Sequence, residues 1–164
     1  MKNNLVLYPS KKFIIKDYEN IFVDIFTLFQ FNQKKFSSFD YNYVKTRTDP
    51  DYKKKNFILS DKIYNEILIS IKNEFNKINK KNFDKNFYKI IIGPWLRFFI
   101  YQFVNKYKTI VEAIENYKIE KCTIYDSKKL LFCVDDSASF HHAPNNNNWN
   151  LGMYSYILEN LKIK

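Results

Sequence analysis

Two adjacent histidines, His141 and His142, with two carboxylates just upstream, Asp135 and Asp136, are the residues of this 164-residue chain best suited to acid-base chemistry. They follow an apolar run, Leu130 to Val134, that reads as a β-strand. Ligands in α/β folds gather at the carboxyl ends of strands, where a histidine beside an aspartate can act as a general base or donate to a phosphate. The competing reading is structural, because Asp135-Asp136-Ser137 can cap a short helix running through Phe140. Neighbouring helical positions point about 100° apart, which is poor geometry for joint ligation, so no metal site is expected. Arg97 and Arg47 are the only arginines. Each is a candidate for binding a carboxylate or phosphate; structural pairing competes at Arg97, and solvation beside Asp49 and Asp51 at Arg47.

Other chemistries are missing from the sequence. Its two glycines cannot build a GxGxxG or a GxxxxGKS/T loop, GxSxG is absent, and Cys122 and Cys133 match no zinc or redox spacing. No cofactor is expected, and both thiols read as reduced and buried. The net charge of +10, from 27 Lys+Arg against 17 Asp+Glu, raises the question of a polyanion. Nearly all the cations are lysines, however, whereas phosphate and groove recognition favours the guanidinium fork. The excess therefore reads mainly as a solvated surface, and nucleic acid is disfavoured. The apolar run at the N-terminus is too short for a signal peptide, and no stretch approaches the roughly 20 apolar residues of a membrane span, so a cytoplasmic protein is expected.

The elements that must position these residues are helix-rich. With 46% hydrophobic and 19% aromatic residues the chain can build a core, and its length suits one domain over residues 1–164. Leu5 to Tyr8 reads as a buried strand. Asp17 can cap a helix whose apolar face is Tyr18, Ile21, Phe22, Ile25, Phe26 and Phe29. Gln33 to Lys55 reads as a connection, with Asp49-Pro50-Asp51 as a turn. A helix is predicted from about Asp61 to Lys80, and Asp84 can cap a short helix from Lys85 toward Ile92. Pro94 cannot donate the hydrogen bond that a helix interior requires, so a new helix should start there and continue to Tyr117. Its apolar residues lie on two sides, as a long central helix requires. Cys122 to Tyr125 reads as another strand, and Trp149 to Leu161 as the last helix. The expected fold class is α/β, with several helices around a small sheet.

Two patches carry a resemblance. Tyr64-Asn65-Glu66-Ile67-Leu68, leading to Ile90-Ile91-Ile92-Gly93-Pro94-Trp95-Leu96, resembles a segment of a transferase family found in surface-carbohydrate biosynthesis clusters. Trp149-Asn150 with Tyr154 and Ser155 is similar to that family's Trp-Asn…Tyr-Ser motif. Gly93, Pro94, Trp95, Leu96, Trp149 and Asn150 are thus family markers. The likeness covers about two-thirds of the chain, from Tyr64 onward. There are departures: Phe87-Tyr88-Lys89 stands where the family tends to have Tyr-Trp-Arg, and Tyr41 to Arg47 is a degenerate match to a His-Trp-Asp-Asp-Arg stretch.

The resemblance implies the N-terminal part of a longer, glycosyltransferase-like protein that builds cell-surface polysaccharide and is inactive alone. A separate chain carrying the C-terminal region would be its partner, and a nucleotide-sugar or glycan the ligand of the complete protein. Two alternatives come from the residues themselves. One is a stand-alone interaction module whose lysine-rich surface meets an anionic partner; the other is a small enzyme using His141 or His142 with Asp135 or Asp136.

Overall fold

The computed structural model describes residues 2–31, 41–46, 49–126 and 136–161. Arg47, the predicted strand Leu130 to Val134 with Cys133, and Asp135 lie outside them. The helix-rich α/β architecture expected from the sequence is what forms. Among the described residues four strands, β1 (Asn3–Val6), β2 (Glu19–Phe22), β3 (Asn42–Tyr43) and β4 (Ile119–Cys122), make a parallel sheet in the order β3-β2-β1-β4. Six α-helices accompany it among the described residues: α1 (Ile25–Phe31), α2 (Pro50–Asn79), α3 (Lys85–Ile91), α4 (Gly93–Tyr117), α5 (Ser137–His142) and α6 (Asn147–Asn160). The chain divides into two compact units, Met1–Thr46 with Lys106–Lys164, and Arg47–Asn105.

The sheet belongs to the first unit. Leu5 and Val6 on β1 with Leu7 just beyond it, and Ile21 and Phe22 on β2 with Val23 just beyond it, are buried in unbroken runs, as in parallel strands covered on both faces. Tyr18 to Phe22 was expected to be helical, and here the structure corrects the sequence. Asp17 takes a left-handed backbone (φ 68°) that turns the chain into β2. Aspartate tolerates this conformation better than most residues. Of the expected helical stripe, Phe26 and Phe29 are exposed, while Thr27 and Leu28 face inward from α1.

A buried amide pair holds the β1–β2 connection. Asn4 Nδ2 donates to Asn20 Oδ1 (2.8 Å) and to the Phe13 carbonyl (2.9 Å). Asn20 Oδ1 also accepts from Ile15 N–H (2.9 Å), and Asn20 Nδ2 donates to the carbonyls of Ile15 and Tyr18 (3.0 Å each). The asparagine side chains thereby satisfy backbone groups in a crossover that has only a 3-10 turn at Lys11–Phe13 and no α-helix.

The second unit is helical. Asp49-Pro50 is the start of α2, not a turn: Asp49 Oδ1 accepts from Tyr52 N–H (2.9 Å), with proline at the first helical position. The helix therefore begins eleven residues before the expected Asp61. Its buried stripe is Asn56, Ser60, Tyr64 and Leu68, which hides the apolar period behind two polar residues. Asp84 caps α3 through Phe87 N–H (2.8 Å), as expected.

Gly93 opens α4, one residue before Pro94. Its φ is not positive, so it is present for space. A Cβ there would stand 2.7 Å from Tyr64 Oη, inside a core of Tyr64, Leu68, Tyr88, Leu96, Ile100 and Val104. Trp95 stacks on Phe99 (5.6 Å between ring centroids) but is 37% exposed, so Leu96, and not the indole, anchors this turn. Gly93→Ala should lower stability by about 2 kcal/mol, because a buried tyrosine ring cannot swing aside as a flexible chain end can. In a Tyr64→Phe background the same alanine should cost much less, a difference that denaturant unfolding of the four proteins would measure.

Candidate functional site

Three side chains of the first unit meet beyond the carboxyl end of β2. Asp24, two residues past that strand, caps α1: its Oδ1 accepts from Thr27 N–H at 2.7 Å. Oδ2 is then turned to Tyr154 on α6, whose hydroxyl donates to it at 3.2 Å. Lys106 on α4 places its Nζ 5.1 Å from the Tyr154 ring centroid and 5.8 Å from that of Trp149. A half-buried ammonium held over two aromatic faces, with a carboxylate near enough to act on its charge, is kept by ring quadrupoles and one opposite charge.

That setting shifts the titrations. Burial pulls Lys106 down to about 8, against the opposing pull of Asp24. Burial pushes Tyr154 well above the usual phenol range, and both the charge and the hydrogen bond of Asp24 add to the rise. Tyr154 is thus a permanent donor at neutral pH, and Lys106 exchanges its proton near the working range of a cell. Burial also pushes the Cys122 thiol up to about 12, which leaves it protonated and unreactive.

Helix α6 ties this cluster to the sheet. Tyr154 reaches Asp24 beyond β2, and Ser155 Oγ accepts from Tyr125 N–H (3.0 Å) beyond β4. Consecutive residues of one helix thus hold the carboxyl ends of the two strands that flank β1. The start of α6 is fixed by Asn146 Oδ1, which accepts from Asn148 and Trp149 N–H. Trp149 is buried with its ring edge-on to Phe140. Asn150 Nδ2 donates to the Pro144 carbonyl (2.8 Å). These residues, which the resemblance had marked, support the cluster, and Trp149 enters it beside Lys106.

The residues singled out in the sequence are placed differently. His141 and His142 are exposed in the last turn of α5. Asp136 caps the other end of that helix, its Oδ1 accepting from Ser139 N–H at 2.7 Å, so roughly 8 Å of helix rise separates it from the histidines. Arg97 pairs with Asp61 (2.7 Å) and lies 4.4 Å from the Tyr64 ring centroid, within the second unit. Among the described residues, no three of His, Cys, Asp and Glu come together to hold a metal ion. Asp24 and Lys106 carried no signal that sequence reasoning used: the aspartate sat inside an expected helix, and the lysine was one of many. Tyr154 was visible only as part of a marker motif.

None of the curated proteins matches this chain, and none of the solved structures does. A family model described as LIC12162 family transferase matches residues 3–164. The match takes in β1, β2 and Asp24 as well as the segment from Tyr64 onward that the motifs had suggested. The chain belongs to the LIC12162 family of transferases.

Proposed function

We propose that this chain is the N-terminal part of a glycosyltransferase-like enzyme that acts in the cytoplasm on cell-surface polysaccharide, and that it does not transfer sugar by itself. One observation carries the reading: in a chain of a transferase family, Asp24, Lys106 and Tyr154 converge at the carboxyl side of a parallel sheet, where α/β enzymes hold their ligands. Sugar transfer from a nucleotide donor requires a positive group for phosphate and an acceptor for a hydroxyl proton. Lys106 is suited to the first role and Asp24 to the second, with Tyr154 and the capped α1 fixing the carboxylate. The motif resemblance supports the polysaccharide context.

The test is a sugar-transfer assay with labelled nucleotide-sugars, run on the purified chain alone and with a separately expressed chain carrying the downstream family region. Transfer is expected only in the second case. Turnover by the chain alone would overturn the claim that it is inactive by itself. Asp24→Asn and Lys106→Met should each lower the complemented rate by about 100-fold. Unchanged rates would remove the cluster from the reaction.

A further inference from the structure

In the second unit, α3 shows solvent an apolar surface where a short surface helix ordinarily turns polar. On α3, Phe87, Ile90 and Ile91 follow at i, i+3 and i+4 and so share one face, while Phe83, just before the Asp84 cap, lies against Phe87. That face points to solvent: Ile90 is 78% exposed and Ile91 60%. Tyr88 alone turns into the core. The rings of Phe83 and Phe87 are stacked at 4.1 Å, which fixes the outward face as a firm surface.

Its charge is one-sided. From Lys77 to Ile91 there are five lysines and a single acid, Asp84, whose Oδ1 is taken by Phe87 N–H. Lys77, Lys80, Lys81 and Lys89 are exposed in this same stretch of chain, and Lys85 is drawn back to Asn65 (2.9 Å). The exposed apolar area is on the order of 500 Å², below the roughly 800 Å² per partner of a stable protein interface. Large exposed apolar side chains in a lysine-rich stretch suit a shallow, negatively charged, deformable partner, with the side chains in the acyl boundary and the ammoniums among the headgroups. No helix among the described residues is long and apolar enough to cross a membrane.

We propose that the tip formed by the end of α2 and by α3 docks the protein on an anionic lipid bilayer. Phe83, Phe87, Ile90 and Ile91 enter the interface, and Lys77, Lys80, Lys81 and Lys89 meet the headgroups. The tip stands apart in sequence from Asp24, Lys106 and Tyr154, so vesicle binding and sugar transfer can succeed or fail separately.

The test is co-sedimentation of the full chain with vesicles of phosphatidylcholine alone or with about 30 mol% phosphatidylserine. Binding is expected to the second kind, to weaken with added salt, and to fall at least tenfold in Ile90→Ser/Ile91→Ser and in Lys80→Glu/Lys81→Glu. Both pairs are on the surface, and circular dichroism should show the fold unchanged. No binding to anionic vesicles would overturn the proposal. So would binding lost with the lysines but unchanged by the serines, which would mean charge adhesion only. Sedimentation velocity supplies the last arm: self-association abolished by the serine pair, without vesicle binding, would assign the face to a second copy of the chain.

Discussion

Asn20→Leu should lower the stability of the fold by about 4 kcal/mol, one of the two largest effects expected here. The side chain makes four hydrogen bonds, to Asn4 Nδ2, Ile15 N–H, the Ile15 carbonyl and the Tyr18 carbonyl, and it is nearly buried. Leucine fills similar space but strands every one of those partners. A buried polar group left without a partner costs about 1–3 kcal/mol, so even incomplete rescue by water leaves a large sum. Asn4→Leu should cost less, since it removes only the bonds to Asn20 and Phe13. The double substitution should cost less than the two single changes together, because each single change already loses the shared Asn4–Asn20 bond. Urea unfolding of the wild type and three variants measures all of this; a loss under about 1 kcal/mol in Asn20→Leu would show that the network is not what secures the crossover.

The same connection explains where sequence reading succeeded and failed. Asp84 before α3 caps its helix by local chemistry, and the break at Gly93-Pro94 is equally local. Apolar period is a weaker guide for a strand buried on both faces, which shows no alternation. Ile21-Phe22-Val23 simply runs into Ile25 and Phe26, and the joined run imitates a helical stripe. In α2 the opposite happened: Asn56 and Ser60 sit on the buried face and interrupt the apolar pattern, although Asp49-Pro50 marks the start of the helix. At the end of α4, Lys118 takes a left-handed backbone (φ 47°) and sends the chain straight into β4, three residues before the strand expected at Cys122. The candidate site was least legible of all. Asp24 and Tyr154 lie 130 residues apart and are joined only by the fold. The resemblance marked Trp149 and Asn150 but could say nothing of the lysine above the ring.

That lysine gives the other large effect, which depends on pH. The folded state holds Lys106 at about 8, whereas the unfolded chain holds it at the ordinary 10.5. Above the unfolded value the side chain is neutral in both states and costs nothing. As pH falls from 10.5 toward 8, the unfolded chain binds a proton that the folded state still resists, and stability drops by about 1.4 kcal/mol per pH unit. Below 8 both states are protonated, and the fold carries the full penalty of a buried ammonium, about 3 kcal/mol. Lys106→Met removes the titration and keeps the length of the side chain. Tyr154 and Cys122, both held protonated by burial, lose stability for the fold in alkali, but they do so in wild type and variant alike. The difference between the two proteins therefore isolates Lys106. Lys106→Met should gain most on the wild type at pH 7, less the lost attraction to Asp24 and the two rings, and that advantage should shrink steadily from pH 8 to pH 10. Chemical unfolding at each pH checks it. A difference that stays flat across that range would mean that Lys106 keeps its ordinary proton affinity, and the cluster with Asp24 and Tyr154 would then lose its case as a dehydrated site.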